Sequence, residues 1–116
     1  MEGNKKNIQR LAGFLKKNPE DSFTKFALAL ELLKSGEVSK ARVLFESVLK
    51  QDPDYLGVYY HLGKLYERTG RLSEAAGMYK TGLMVAEKKS DTRTVIELND
   101  ALELIKPDLN HDEELL

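Results

Sequence analysis

Residues 56–80 read LGVYYHLGKLYERTGRLSEAAGMYK and contain two apolar periodic runs separated by a glycine. In each run the apolar residues recur every three or four positions, which predicts two amphipathic helices. Gly70 lies between the runs, and glycine is the residue that most often adopts the left-handed conformation at the end of a helix. The stretch therefore predicts two helices joined by a tight turn.

The same pattern occurs 34 residues earlier in the chain. Between residues 19–49 and residues 53–83, six pairs of identical residues lie at this offset: Pro19 with Pro53, Leu28 with Leu62, Gly36 with Gly70, Ser39 with Ser73, Ala41 with Ala75, and Leu49 with Leu83. Composition alone would give roughly two such pairs. A fixed period of this length is typical of stacked helical units. The offset predicts two repeats, over residues 22–55 and 56–89.

Small residues lie where two helices of a repeat would approach each other. Ala29 and Gly63 occupy equivalent positions in the first helices, and Ala41 and Ala75 do so in the second helices. A glycine inside a helix costs about 1 kcal/mol relative to alanine. We therefore predict that Gly63 permits a close contact between two helices.

The remaining sequence predicts an all-α domain of about six helices over residues 1–106. No run alternates apolar and polar residues for long enough to indicate a strand. The predicted helices cover residues 4–17, 21–35, 37–51, 54–69, 71–89 and 91–106. Residues 107–116 carry four acidic residues and few apolar ones, so we expect a flexible acidic tail.

The first and sixth helices flank the two repeats and are expected to cap them, as the ends of helical stacks require. In the sixth helix, the residues expected to face the repeats are Val95, Leu98, Leu102 and Ile105. At an offset of 34, Glu97 falls at the position of Gly63 and Asp100 at that of Tyr66.

The repeats resemble the tetratricopeptide repeat, whose 34-residue unit follows the pattern W-x2-L-G-x2-Y, A-x3-F and P. Residues 56–89 give Tyr59-x2-Leu62-Gly63-x2-Tyr66 and then Ala75-x3-Tyr79, with Glu87 in place of the proline. Residues 22–55 give Lys25-x2-Leu28-Ala29-x2-Leu32, then Ala41-x3-Phe45 and Pro53. The first unit lacks the tryptophan-like aromatic residue and keeps the rest of the pattern in recognisable form.

The resemblance implies a right-handed superhelical stack of antiparallel helix pairs, with a concave groove lined by the first helix of each repeat. Members of the family are mostly non-catalytic modules that bind peptides or other proteins. The groove positions implied here are Phe26, Leu30 and Leu33, followed by Tyr60, Lys64, Glu67 and Arg68. An apolar half beside a Tyr/Lys/Arg half would suit a peptide with an acidic group. Alternatively, the apolar half is covered by the chain itself or by a second protomer.

The sequence predicts no enzyme, no cofactor and no metal site. His61 lies on a predicted helix without a nearby carboxylate or serine with which to form a catalytic triad. His111 lies in the run HDEE, which offers metal-binding side chains but lacks ligand spacing on a rigid element. Neither GxGxxG nor GxxxxGK[ST] occurs, so no phosphate-binding loop is predicted.

The composition favours a cytoplasmic protein. Cysteine is absent, which excludes disulfides and fits a reducing compartment. No signal peptide is recognisable, and no apolar run approaches the roughly 18 residues needed to span a membrane. The net charge of −1 gives no overall attraction to nucleic acid or to anionic membranes.

The charge is nevertheless distributed unevenly, and this raises a second candidate function. Residues 1–17 hold five basic residues against one acidic residue, whereas residues 107–116 hold four acidic residues and no lysine or arginine. The basic first helix of one copy could bind the acidic tail or sixth helix of another, giving a scaffold that self-assembles through its terminal helices. The basic helix lacks the interleaved aromatic residues of a nucleic-acid platform.

Overall fold

The computed structural model describes residues 2–115, with side chains described for residues 3–109, and over this range it contains six helices and no strand. The helices are α1 (Glu2–Lys17), α2 (Ser22–Lys34), α3 (Val38–Gln51), α4 (Leu56–Arg68), α5 (Leu72–Lys88) and α6 (Thr92–Leu115). The predicted bounds of the first five helices agree with these within two residues at each end. The predicted all-α repeat fold is confirmed.

The sixth helix is longer than predicted, because it continues through Pro107 to Leu115. The prediction that it ends before Pro107 was wrong. Proline removes one backbone hydrogen bond, the one to the carbonyl of Glu103. Pro107 and Glu103 are both exposed, so water can hydrogen-bond to the freed carbonyl. The flexibility of residues 107–116 stays a prediction, and the side chains from residue 110 onward lie outside the described part of the chain.

The chain divides into two compact units, Met1–Val58 and Tyr59–Leu116. Their boundary falls inside α4, and each unit is described by itself. The single domain over residues 1–106 therefore stays a prediction.

In the first unit, α2 packs against both α1 and α3. The buried apolar residues of the first unit are Leu28, Ala29, Leu32, Ala41, Phe45, Val48 and Val58. The turn between α2 and α3 is made by Gly36, whose φ of 78° is left-handed. The N–H of Glu37 donates to the carbonyl of Leu32 at 2.9 Å and closes the end of α2. The predicted role of Gly36 is confirmed.

Lys25 occupies the position where the repeat pattern has tryptophan, and it is only 7% exposed. Its ammonium group donates to Ser47 Oγ at 2.9 Å and to Gln51 Oε1 at 2.7 Å. The side-chain amide of Gln51 also donates to the Glu20 carbonyl at 2.8 Å. A hydrogen-bonded lysine thus links the start of α2 to the end of α3 where other repeats bury an aromatic ring.

In the second unit, the close approach of α4 and α5 depends on Gly63. A Cβ atom at this position would lie 2.2 Å from Cε1 of Tyr79, whose side chain is fully buried. Gly70 makes the turn with φ 77°, and the N–H of Arg71 donates to the Tyr66 carbonyl at 2.8 Å. The roles predicted for Gly63 and Gly70 are confirmed.

The missing proline at position 87 changes how the second repeat ends. The α3 helix has 14 residues and ends just before Asp52-Pro53, whereas α5 continues for 17 residues. It ends at a turn in which Ser90 has φ 57°. Asp91 then begins the next helix, because its carboxylate accepts a hydrogen bond from the N–H of Thr94 at 3.1 Å.

The longer α5 shifts the sixth helix by two residues relative to the repeat. At an offset of 34, Leu62 corresponds to Ile96, but Ile96 is 57% exposed whereas Leu98 is fully buried. An offset of 36 aligns Leu62 with Leu98 and Tyr66 with Leu102, and it also aligns the first residues of the two helices. The predicted packing face of α6 is confirmed, while its predicted alignment with the repeat is corrected.

Two glycine-to-alanine substitutions should shift the free energy of unfolding in opposite directions. In Gly63→Ala, the new methyl group collides with the buried Tyr79 ring, and overpacking of this kind costs about 1–3 kcal/mol. Gly77 lies inside α5 with no atom within 4 Å of its Cβ position, so Gly77→Ala should stabilise the chain by about 1 kcal/mol through helix propensity. Urea unfolding followed by circular dichroism measures both changes. Equal stability of the two variants would contradict the proposed packing role of Gly63.

Candidate functional site

The α2 residues predicted to line a groove are Phe26, Leu30 and Leu33, and all three are half-buried. The Phe26 ring packs against Phe45 and Tyr55, with centroid separations of 5.9 and 5.2 Å. Its tip also lies close to Gly57, where a Cβ atom would be 3.3 Å from Cζ of Phe26. Phe26 is therefore partly covered by residues of its own unit. One alternative was that the chain itself covers the apolar half of the groove, and this contact agrees with that alternative for Phe26.

On α4, the predicted residues Tyr60, Lys64 and Arg68 lie at intervals of four and form one stripe. The Lys64 ammonium lies 5.6 Å from the centre of the Tyr60 ring. The same ammonium is 3.6 Å from Oε2 of Glu67. The charge of Lys64 is thus compensated within the protein.

Glu67 is itself held in place by the core of the repeat. The hydroxyl of the buried Tyr79 donates a hydrogen bond to Oε2 of Glu67. Burial, reinforced by the Glu67 carboxylate, raises the pKa of Tyr79 far above its usual value, so the hydroxyl remains a donor at physiological pH. The repeat pattern placed Glu67 near the groove but gave no sign of its bond to Tyr79, which depends on tertiary packing.

Arg68 differs from Lys64 in its surroundings. It is exposed, and within the described side chains of residues 3–109 it forms no hydrogen bond or ion pair. Of the two α4 cations in the predicted groove, Arg68 is the one whose charge is available to a partner.

The α4 and α6 helices lie side by side on α5. A Cβ atom at Gly82 in α5 would be 2.7 Å from Cβ of Tyr59 and 3.0 Å from Cδ1 of Leu98. The buried faces of the two helices therefore meet the same point of α5.

The exposed face of α6 repeats the stripe on α4 at the corrected offset of 36 residues. There, Tyr60, Lys64 and Arg68 correspond to Ile96, Asp100 and Leu104. All three α6 residues are exposed, with Ile96 at 57% and Leu104 at 72%. We call this set of six residues the α4–α6 surface.

An offset of 34 does not align the α6 stripe with the α4 stripe, so the three α6 residues were not predicted from the sequence. The signal that could have identified them was the predicted buried face of α6. Matching Val95 with Tyr59 and Leu98 with Leu62 requires an offset of 36, and the absence of a proline at position 87 allows it.

His61 is half-buried beside the α4–α6 surface, with its ring edge-on to Tyr60 at a centroid separation of 5.8 Å. Burial lowers the pKa of His61, and the carboxylate of Glu97 opposes this effect. The expectation that no carboxylate lies near His61 was therefore wrong. No three potential metal-binding side chains come together in the described part of the chain. The side chain of His111 lies outside that part.

The lowered pKa of His61 predicts a pH dependence of stability. As the pH falls through the unfolded-state pKa of about 6.5, the unfolded chain binds a proton before the folded chain does. The stability contributed by neutral His61 is therefore fully present above about pH 6.5 and is lost at lower pH. Melting temperatures between about pH 7.5 and 5.5 should fall less in His61→Gln than in the wild type. An identical fall in both proteins would exclude this role for His61.

The described helices include none that is long and apolar enough to cross a membrane. The model of the tetratricopeptide repeat family matches residues 32–93, which is more than half of the chain. No curated protein matches the sequence.

Solved structures with the same helical fold include a tetratricopeptide repeat domain protein from Salinibacter ruber. It is 45% identical, the match covers 75% of this chain and 97% of that protein, and the TM-score is 0.72. The Yersinia enterocolitica type III secretion translocator chaperone SycD has a TM-score of 0.86 at 14% identity, over 94% of this chain and 76% of SycD. The TPR2B domain of yeast Sti1, solved as a complex with pHsp70, has a TM-score of 0.77 at 14% identity, over 83% of this chain and 77% of that one.

The two low-identity structures show a shared fold alone, whereas the family model and the Salinibacter relative show the family. The tetratricopeptide repeat fold generally mediates protein–protein interaction. This chain belongs to the tetratricopeptide repeat family.

Proposed function

We propose that this chain is a non-catalytic module that binds a peptide or a partner protein. The proposed contacts lie on the exposed face of α2 in the first unit and on those of α4 and α6 in the second unit. The observation that carries the proposal is the pair of exposed apolar side chains, Ile96 and Leu104, on the helix beside the uncompensated Arg68. The outer faces of terminal helices in repeat proteins are normally polar. Exposed apolar residues rimmed by charge are typical of interaction sites.

The chemistry of the α4–α6 surface specifies the kind of peptide that fits. Ile96 and Leu104 offer contacts for apolar side chains, and the Tyr60 ring offers an aromatic edge or face. A carboxylate of the partner would bind Arg68, since a guanidinium can donate two parallel hydrogen bonds to one carboxylate. Lys64 contributes less, because Glu67 already compensates its charge.

The first unit, taken by itself, offers a second proposed binding surface on α2. Leu30 and Leu33 are half-buried, and each retains exposed apolar area for a partner. Phe26 has less to offer, because Phe45 and Tyr55 cover part of its ring. We therefore expect substitutions of Phe26 to act mainly on stability.

The family supports a non-catalytic role, since its members are generally interaction modules. Two structures with the same fold are a translocator chaperone and a domain solved in complex with pHsp70. We propose that this chain likewise binds a protein or a peptide. The lack of cysteine supports a location in the reducing cytoplasm. We propose neither a nucleic-acid nor a membrane partner.

Substitutions on α4 should weaken partner binding and leave the helices intact. Affinity capture from the native cell extract, followed by identification of the bound protein, supplies the partner for titration. We expect Tyr60→Ala and Arg68→Glu each to weaken binding about tenfold or more, equivalent to about 1.4 kcal/mol. Lys64→Glu should also weaken binding, partly by placing a second carboxylate beside Glu67.

Lys80→Glu provides the matched control, because Lys80 is exposed on α5 and has no described ion pair. It changes the net charge as Arg68→Glu does, at a position outside the proposed surface. Circular dichroism should give the same helix content for all variants. If Arg68→Glu and Tyr60→Ala bind as tightly as the wild type and Lys80→Glu, the proposed site is wrong.

A further inference from the structure

The charge imbalance of the chain is confined to its first and last helices. Between them, residues 18–91 carry eleven basic and eleven acidic residues. The α1 helix holds five basic residues and one acidic residue, whereas α6 holds two basic and seven acidic residues. Two helices of opposite charge thus flank a segment whose charges balance.

The basic charges of α1 are exposed and uncompensated. None of its five cations forms an ion pair with a carboxylate among the described side chains, although Arg10 donates a hydrogen bond to Asn7 at 3.0 Å. Arg10, Phe14 and Lys17 lie at intervals of four and three, and therefore share one face of the helix. Phe14 is 52% exposed on this face. We call these three residues the α1 face.

The exposed stripe of α6 has the complementary pattern. Asp100 lies between Ile96 and Leu104 and forms no ion pair among the described side chains. Glu103 is less available, because it is 2.6 Å from the ammonium of Lys106. The α1 face thus presents an aromatic residue between two cations, and the α6 stripe presents an acid between two apolar residues.

We propose that the α6 stripe of one copy binds the α1 face of a second copy. Phe14 would cover Ile96 or Leu104 and so remove exposed apolar area from water, while Arg10 or Lys17 would lie against Asp100. The inference rests on the proposed function, since it names a partner for the α6 side of the α4–α6 surface. It follows from charge complementarity and from exposed apolar side chains on both helices.

The contact joins two different surfaces, and every copy carries both of them. Such a heterologous contact either closes into a ring or extends into a chain of copies. Exposed charges separated by more than about 8 Å are screened at physiological ionic strength. Association should therefore be stronger at low salt and weaker at high salt.

The test uses two variants of the full chain that remove one surface each without introducing new charge. The α1 variant carries Arg10→Gln and Phe14→Ser, and the α6 variant carries Ile96→Ser and Asp100→Asn. All four positions are exposed, so both variants should keep the helix content of the wild type. Analytical ultracentrifugation at about 0.05 M and about 0.5 M salt measures association at the two extremes of screening.

We expect the wild type to associate at low salt, and each variant alone to associate at least about tenfold more weakly. Mixing the two variants should give a one-to-one complex, because one intact α1 face and one intact α6 stripe remain. That complex should not grow further. Rescue by mixing separates a specific contact from general loss of solubility or folding.

Three outcomes would overturn the proposal: a wild type that stays monomeric at low salt, variants that associate like the wild type, and a mixture that stays monomeric. Arg68→Glu distinguishes this failure from failure of the proposed function. It should weaken capture of a foreign partner without weakening self-association, because a carboxylate at position 68 attracts the basic α1 face instead of repelling it. If the wild type is monomeric while the α6 variant loses a foreign partner, a different protein binds the stripe and the self-association proposal fails.

Discussion

The contact between Gly63 and the Tyr79 ring is the constraint on which the second unit depends. Because glycine has no side chain, the ring can lie directly against the backbone of α4. The same ring carries the hydroxyl that holds Glu67, and Glu67 compensates the charge of Lys64. A packing requirement of the repeat thereby decides which α4 cation can meet a partner, and it leaves Arg68 in that role.

A second constraint is the absence of the closing proline from the second repeat. With Glu87 in place of proline, nothing stops α5 at the point where α3 ends, and the helix continues to Lys88. The sixth helix then begins two residues later than a strict repeat would require. This shift buries Leu98 and exposes Ile96. The missing proline thus decides both which residues of α6 pack against α5 and which residues form its exposed stripe.

Much of the fold follows from local sequence, and the limits of that prediction lie at particular residues. Gly36 and Gly70 predicted the turns because left-handed backbone is accessible to glycine at little cost. Pro19 and Pro53 fixed the ends of α1 and α3, whereas Pro107 did not end α6, since a single lost hydrogen bond is tolerated at an exposed position. Of the candidate site, the sequence predicted the α4 stripe but not the α6 stripe. A fixed offset of 34 does not include the two-residue shift of α6.

The sequence by itself determined the helical repeat, its turns, the packing face of α6 and the opposite charges of the terminal helices. These properties depend on residue types and their spacing along one chain. Only the tertiary structure decided that Glu67 bonds to Tyr79 and that Phe26 packs against Tyr55. Each of these contacts joins side chains that are distant along the chain, and the distance between such side chains is set by tertiary packing.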